Sequence, residues 1–219
     1  MGEVRTRTGV TGEERPFQPG MSREWLLPLY DPVSRVLRAG RVHRRLLDQA
    51  SVRPGQTVLE IGCGTGNLAL LAKSTEPGAT VIGLDPDLGA LARAWRKARR
   101  RRLSIQLDRG YADRLPYPDA SVNRVLSALM LHHLPEPERA QALREAVRVL
   151  RPGGELHVVD IAEHARIHRR GHRHGATHLP EAVGDSLPEM IRRAGFTEVG
   201  ETGSLSTWMG RLVFLSAAR

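Results

Sequence analysis

The chain has 219 residues and a formal net charge of +9, and its length is sufficient for one domain with a full hydrophobic core. Its apolar stretches, such as residues 122–134, are too short to span a bilayer, and residues 1–20 lack the apolar core of a secretory signal. Cys63, the single cysteine, excludes an internal disulfide or a cysteine metal cluster and is typical of a reducing compartment, so we expect a cytoplasmic protein.

The first fifty residues are predicted to lie outside the main domain. Residues 1–20 are rich in Gly, Thr, Arg and Glu and have almost nothing to bury, which predicts a disordered or loose arm. Residues 21–50 have apolar residues at helical spacing, interrupted by prolines and Gly40, which predicts two short helices. We expect these helices to form a lid over a domain that occupies residues 51–219.

From residue 51 onward, short β-branched segments alternate with amphipathic ones. Five strands are predicted, at residues 57–61, 80–84, 103–107, 122–127 and 155–160. Helices are predicted at residues 67–75, after Asp87 as a capping residue, and at residues 136–150. Strands that alternate with helices in this way form a parallel sheet covered on both faces.

The last third of the chain has a different pattern. Residues 161–185 are polar and rich in histidine, which predicts a variable loop. A helix at residues 186–194 then precedes two strand-like segments at residues 196–203 and 211–217. Because the two segments are so close along the chain, we expect a hairpin that adds an antiparallel strand to the parallel sheet.

The basic residues are almost all arginines, 31 of 33. We attribute this preference to the base composition of the genome rather than to a ligand. The run at residues 99–102 lies where a helix would end, and positive charge there suits the helix dipole. We therefore interpret the run as a solvent-exposed helix end and do not expect nucleic acid as a partner.

A glycine-rich loop joins the first predicted strand to the following helix, in the stretch VLEIGCGTGNLALLA at residues 58–72. Glycines allow a sharp turn and a close approach of a ligand, and the start of a helix offers free amide groups. A dinucleotide-binding loop of the form G-x-G-x-x-G would have glycine or alanine at position 67. The chain has Asn67 there, and the charge of Glu60 before the loop would repel a pyrophosphate. The loop therefore favours a nucleotide-like ligand other than a dinucleotide.

Asp85 ends the second predicted strand, 19 residues after Gly66. A carboxylate about 20 residues beyond such a loop is placed to accept hydrogen bonds from both hydroxyls of a ribose. The alternative is a tight turn followed by an aspartate that caps a helix. We favour the ligand site, because the loop and the acid agree at the expected separation.

Three motifs in this order, VLEIGCGTG, GLDPD and VLRPGG, resemble those of the class I methyltransferases that use S-adenosylmethionine. The stretch GYADRLPYPDASVNRVLSALMLHHL is similar to the small-molecule branch related to ubiquinone and menaquinone C-methyltransferases. The resemblance covers residues 46–160 well and the C-terminal hairpin more loosely. It implies S-adenosylmethionine as the cofactor, a small-molecule acceptor, and a Rossmann-like α/β fold. That fold has a seven-stranded, mostly parallel sheet with helices on both faces and an antiparallel hairpin strand at the C-terminus.

The resemblance also implies which residues contact the cofactor. Glu60 would anchor the loop and face the amino group, and Asp85 would hold the ribose. The other predicted cofactor-binding residues are Tyr30, Gly62, Cys63, Gly64, Gly66, Pro86, Tyr111, Ala112 and Ser127.

One departure from the family affects the adenine contact. Relatives commonly have Gly-Asp-Ala where this chain has Gly110, Tyr111 and Ala112. Tyr111 would stack on the ring or donate through its hydroxyl, or Asp113 would substitute for the missing acid.

Methyl transfer is an in-line displacement from an activated sulfonium, so the protein must mainly align the acceptor and exclude water. The fourth predicted strand places Ser127 near the methyl group, followed by His132 and His133. His132 is our candidate general base, because histidine ordinarily titrates near neutral pH. The alternative is that one of the two histidines caps the next helix and the other packs.

Three other functions are compatible with parts of the sequence. An RNA methyltransferase would use the basic arm and the His-Arg loop, although residues 127–130 lack the Asn/Asp-Pro-Pro-aromatic motif of base-methylating enzymes. A homologue that binds the cofactor without catalysis is the second, and a nicotinamide oxidoreductase, disfavoured by Asn67, is the third.

His164, His168 and His172 have a helical metal-binding spacing, but glycines interrupt that segment, so we expect no metal and interpret residues 161–185 as a substrate loop.

Overall fold

The structure is a computed structural model that describes residues 4–6, 32–162, 185–207 and 210–219, with side chains from residue 39 onward. The strands in these ranges are β1 (Val4–Thr6), β2 (Thr57–Ile61), β3 (Thr80–Asp85), β4 (Gln106–Arg109), β5 (Val122–Ala128), β6 (Leu150–Ile161), β7 (Thr197–Thr207) and β8 (Gly210–Ala218). The helices are α1 (Pro32–Ala50), α2 (Asn67–Thr75), α3 (Leu88–Arg101), α4 (Glu136–Val149) and α5 (Leu187–Arg193).

The described strands form one sheet in the order β1-β4-β3-β2-β5-β6-β8-β7. The strands from β1 to β6 are parallel, while β8 is antiparallel to both β6 and β7. The predicted α/β fold with an antiparallel C-terminal hairpin is therefore confirmed. The short strand β1 adds an eighth strand at one edge, and it comes from the segment predicted to be a loose arm.

Two hydrophobic clusters cover the two faces of the sheet. One cluster contains fully buried residues of α1, α2 and α3, namely Leu46, Leu70 and Leu91. The other contains buried residues of α4 and α5, namely Leu143 and Ile191. The helices are thus divided between the faces, with α1–α3 on one and α4–α5 on the other.

The predicted division at Gly40 is wrong, because residues 32–50 form one helix, while a first short helix before residue 32 would lie outside the described residues. Pro32 is at the first helical position, where the missing amide has no intrahelical partner to lose. Gly40 lies inside the helix at a cost of about 1 kcal/mol relative to alanine. Burial of Leu46 and Ala50, both 0% exposed, offsets this cost. The second half of α1 therefore contributes to the hydrophobic core.

The third predicted strand is also displaced. It was expected at residues 103–107, but β4 covers Gln106–Arg109. Ile105 and Leu107 are buried, and this alternation of apolar residues predicts a strand that begins before Gln106. Helix α3 ends on Arg102 in a left-handed conformation with φ 54°, and pairing with β3 begins only where Gln106 meets Ile82.

A buried histidine links α1 to the C-terminal strands. His157 on β6 is 1% exposed, and its Nδ1 atom lies 3.1 Å from the Gln49 amide nitrogen of α1. Because that nitrogen can only donate, Nδ1 accepts and the ring is neutral with its proton on Nε2. Burial lowers the pKa of His157 to about 4, and the charge of Arg124 acts in the same direction. Glu155 lies 3.1 Å from Nε2, but its side chain is 38% exposed, so solvent weakens its opposing effect.

We expect acid to destabilise the fold through His157. Its pKa is about 4 when folded and near 6.5 when unfolded, so the unfolded chain binds more protons between these values. Stability should fall as the pH drops through this window, by up to about 3 kcal/mol from this residue. Urea unfolding at pH 7.5 and pH 4.5 measures the loss, which should be smaller in His157→Gln than in the wild type. Equal losses in the two proteins would exclude His157 as the cause.

Candidate functional site

The site lies where the strand order of the sheet reverses. The chain builds β3 and β4 on one side of β2, then crosses to build β5 and β6 on the other. Ligands of open α/β sheets bind at the carboxyl ends of strands at such a point. Ile61 at the end of β2 pairs with Ser127 near the end of β5. The glycine loop and the segment that follows β5 therefore line the same crevice.

Two glycines of the loop have different structural roles. Gly62 has φ 72°, and a Cβ there would lie 2.2 Å from Cγ of Met130, so packing inside the protein requires glycine. Gly64 has φ 50°, and a Cβ there would have no atom within 4 Å. The Gly64 main chain therefore faces open space, where a ligand can approach it directly.

The loop is fixed to the neighbouring strand through its main chain. The amides of Gly62 and Cys63 both donate to the carbonyl oxygen of Leu84 on β3, at 2.8 and 3.0 Å. Cys63 is buried, and burial raises the pKa of its thiol well above the usual range. Gly66 then begins α2 as its N-cap, with no side chain that caps the helix amides. These amides are available to a ligand.

Glu60 presents an unsatisfied acceptor under the loop. It is 4% exposed, and its Oε2 atom has no hydrogen-bond partner among the described residues. Burial raises the pKa of Glu60 well above its usual range, the amide of Ala69 opposes the rise, and the charge of Asp85 adds to it. A buried acceptor without a donor is costly, so a ligand with a cationic donor would be stabilised here.

Asp85, the acid predicted to bind the ribose, is hydrogen-bonded directly to the glycine loop. Its Oδ2 atom accepts a 2.7 Å hydrogen bond from the Gly64 amide, and its Oδ1 atom accepts one of 2.9 Å from the Asp87 amide. Burial raises the pKa of Asp85, and these two hydrogen bonds oppose the rise. Asp87, not Asp85, caps α3 by accepting from the amides of Gly89 and Ala90. The helix cap, which was the alternative role considered for the acid at this position, is therefore provided by Asp87.

The predicted adenine-side residues lie next to Asp85. Pro86 and Tyr111 are half-buried, and Ala112 packs at the edge of the cluster that contains α4 and α5. The Gly110 amide donates to the Asp85 carbonyl oxygen at 3.2 Å, which brings the 110–113 loop beside the end of β3. Tyr111 and Asp113, the two predicted substitutes for the missing acid, are both half-buried on this loop.

Helix α4 holds the loop that follows. Arg148 donates to the carbonyl oxygens of Leu115 and Tyr117, at 2.9 and 2.8 Å. Glu145 accepts from the Leu115 amide at 2.7 Å and pairs with Arg148. These contacts satisfy main-chain groups of Leu115 and Tyr117 and hold the LPYPD segment against α4.

Lys97 holds the far side of the glycine loop, which the sequence did not indicate. Its ammonium donates to the carbonyl and hydroxyl oxygens of Thr65, at 3.0 and 2.7 Å, and to the side-chain oxygen of Asn67, at 2.8 Å. Lys97 is on α3, so one side chain connects the loop, the start of α2 and the helix that begins beside Asp85. The loop conformation is therefore fixed from both ends.

We expect Lys97→Met to weaken cofactor binding about tenfold, because three hydrogen bonds that fix the loop are lost. Lys73→Met is a matched control. Lys73 also donates to two carbonyl oxygens, those of Pro77 and Ala79, but these lie beyond the other end of α2. Calorimetric titration with S-adenosylhomocysteine should separate the two variants, with only Lys97→Met losing affinity. An equal loss of affinity in both variants would show that the substitutions act through the overall stability of the protein and not through the loop.

His132 lies in the turn Leu131–His133 after β5 and contacts a buried acid. Its Nδ1 atom is 2.5 Å from Oδ1 of Asp160, which is 1% exposed at the end of β6. Asp160 also accepts from the amides of His132 and Ile161, at 3.3 and 2.7 Å. A carboxylate can only accept, so Nδ1 of His132 carries a proton and Nε2 keeps its lone pair in the neutral ring. The pair has the arrangement of a general base with an orienting acid.

His133 has a different environment from its neighbour. Its ring centre is 4.0 Å from that of His132. Burial and the neighbouring His132 lower the pKa of His133, and Asp160 opposes this. The close carboxylate contact therefore distinguishes His132 as the candidate base.

Some predictions fall outside the described residues, namely Tyr30, His164, His168, His172 and most of the 161–185 loop. Among the described residues no group of three His, Cys, Asp or Glu side chains could hold a metal. None of the helices described combines the length and apolar character needed to cross a membrane.

Comparison with known proteins finds methyltransferases among the relatives of this chain. Residues 58–154 match the family described as "Methyltransferase domain". A demethylmenaquinone methyltransferase of Thermus thermophilus is 38% identical over 139 residues, and one of Deinococcus radiodurans is 32% identical over 200 residues. The first alignment covers 62% of this chain and 62% of the relative, and the second covers 78% and 81%. The chain thus spans less than two thirds of the length of the Thermus relative.

A solved structure shows the same fold. The crystal structure of a SAM-dependent methyltransferase from Aquifex aeolicus superimposes with a TM-score of 0.58 at 20% sequence identity. The match covers 87% of this chain and 100% of that one. At this identity the likeness concerns the fold alone.

Proposed function

The chain belongs to the class I S-adenosylmethionine-dependent methyltransferases, and from that premise we propose that it transfers the methyl group of S-adenosylmethionine to a small-molecule acceptor. The observation that carries the proposal is the set of groups around the glycine loop. Glu60 offers a buried acceptor without a donor, Gly64 an open main chain, and Asp85 a carboxylate on the next strand. An adenosine with a cationic amino-acid tail has complementary groups for all three.

The residues present fit this cofactor. Glu60 would accept from its ammonium group, Asp85 from its ribose hydroxyls, and Pro86 and Tyr111 would flank its adenine. The hydroxyl oxygen of Ser127 is buried without a partner among the described residues, so it also has capacity for a polar ligand group. When bound, S-adenosylmethionine supplies a methyl group on a positively charged sulfur.

His132 would act on the acceptor rather than on the cofactor. Asp160 holds the proton on Nδ1, which leaves the Nε2 lone pair to take a proton from an acceptor hydroxyl, amine or activated carbon. Asp160 also stabilises the imidazolium that forms. We assign Asp160 as a positioning residue, because it acts through the ring of His132.

The acceptor we propose is an aromatic or partly apolar small molecule of the quinol or phenol type. Support comes from the two relatives named demethylmenaquinone methyltransferases. It also comes from the half-buried Leu129 and Met130, which lie between Ser127 and His132 at the end of β5. We place the activity in the cytoplasm, because the single thiol, Cys63, is free and buried.

The test is a transfer assay with S-adenosylmethionine labelled in its methyl group, the full-length chain, and a panel of quinols, phenols, amines and RNA. We expect label in at least one aromatic small molecule and none in RNA. Label in RNA alone would contradict the proposed acceptor class. Binding of S-adenosylhomocysteine without transfer to any aromatic acceptor would indicate a cofactor-binding homologue without catalysis.

A further inference from the structure

The positive charge of the protein is concentrated on one face of the sheet. Helices α1, α2 and α3 carry twelve basic residues and one acid, Asp48. Helices α4 and α5 on the opposite face carry five basic and four acidic residues. A preference for arginine in the genome would enrich both faces equally, so it does not explain this difference.

Several arginine side chains of α3 face solvent. Arg96, Arg100 and Arg101 are exposed, and in the part of the chain that the structure describes they form no ion pair. Burial lowers the pKa of Lys97, and the charges of Arg101 and Arg93 add to that effect.

The arginines at the C-terminal end of α3 lie away from the cofactor crevice. Helix α3 begins at Leu88, next to Asp85 and Pro86, and rises about 1.5 Å per residue. Arg99 to Arg101 are therefore about 17–20 Å along the helix from the crevice. A nucleic acid held there by its phosphates would not be directed into the site, so the charge does not serve as a substrate channel.

We infer that the face formed by α1, α2 and α3, here called the basic face, docks on a bilayer that contains anionic phospholipids. The face is broad, with α1 about 28 Å and α3 about 21 Å long, and its helices lie side by side on the sheet. Guanidinium groups bind phosphate oxygens in a fork geometry, which suits phospholipid headgroups. Such docking would anchor the protein and leave the crevice at the strand ends accessible. The inference does not depend on the proposed reaction.

The test compares two triple variants of the full-length chain that remove the same charge from different faces. One is Arg96→Gln, Arg100→Gln and Arg101→Gln on the basic face. The control is Arg144→Gln, Arg192→Gln and Arg193→Gln on α4 and α5, which are also exposed. Each protein is sedimented with vesicles of phosphatidylglycerol and phosphatidylcholine, and with vesicles of phosphatidylcholine alone. Binding to a single-stranded RNA oligonucleotide is measured in parallel, and thermal melting shows that both variants are folded.

We expect the wild type and the control to bind the anionic vesicles and not the neutral ones. The basic-face variant should lose about a hundredfold in affinity, because each arginine near an anionic surface contributes about a fivefold factor. Binding should also decline at high salt. Equal losses in the two variants, no binding to anionic vesicles, or tighter binding to RNA than to vesicles would each overturn the inference, and the last would assign the face to nucleic acid.

Discussion

Asp85→Ala is expected to lower the affinity for S-adenosylhomocysteine by about a hundredfold or more. The carboxylate would accept from two ribose hydroxyls, and hydrogen bonds to charged groups contribute about 1.5–3 kcal/mol each. The substitution also removes the 2.7 Å acceptor of the Gly64 amide, so the loop loses one of its hydrogen bonds to β3. Isothermal titration calorimetry measures the change directly.

Asp87→Ala is the matched control for this prediction. Asp87 is two residues away and caps α3 through the amides of Gly89 and Ala90. Its loss should lower the thermal melting temperature through about 1 kcal/mol of lost capping, with little change in affinity. Unchanged binding by Asp85→Ala, or an equal loss of affinity in both variants, would contradict the assignment of Asp85 to the ribose.

His132→Gln is expected to reduce kcat by about a hundredfold to ten-thousandfold, the range that a general base contributes. The affinity for S-adenosylhomocysteine should stay nearly the same, because His132 would contact the acceptor. Steady-state kinetics with the acceptor found in the transfer assay measures kcat, and calorimetric titration measures the affinity for S-adenosylhomocysteine.

Asp160→Asn tests the positioning role in the same assay. An asparagine in its place can present a donor to Nδ1, which favours the wrong tautomer of His132. We expect kcat to fall, while KM for the acceptor changes little. His133→Gln is the control, because His133 lacks the 2.5 Å contact that Asp160 makes with its neighbour. A loss in His133→Gln equal to that in His132→Gln would remove the distinction between the two histidines.

Local signals in the sequence were sufficient for the part of the fold that carries the cofactor loop. The helix Asn67–Thr75 and the cap Asp87 are as predicted, because glycine, apolar spacing and capping residues act over a few positions. The continuous helix α1 could not be predicted in this way. Gly40 is a local penalty, and the burial of Leu46 and Ala50 that outweighs it comes from distant strands.

The site also combines features that local sequence signals predict with contacts that depend on the tertiary fold. The glycine loop and Asp85 were found from spacing along the chain, but the hydrogen bond between Asp85 and Gly64 required the sheet register. Asp160 is 28 residues from His132 and meets it only because β5 and β6 are neighbours. Lys97 is 32 residues from Thr65, and no periodic pattern connects them. Partners of this kind become predictable only after the strand order is known.

The central claim is that the crevice binds an adenosine with a cationic amino-acid tail. Calorimetric titration of the wild-type chain with S-adenosylhomocysteine and, separately, with NADH tests this claim most directly. We expect saturable binding of S-adenosylhomocysteine with one molecule per chain and no binding of NADH. Binding of NADH together with no heat from S-adenosylhomocysteine would contradict it.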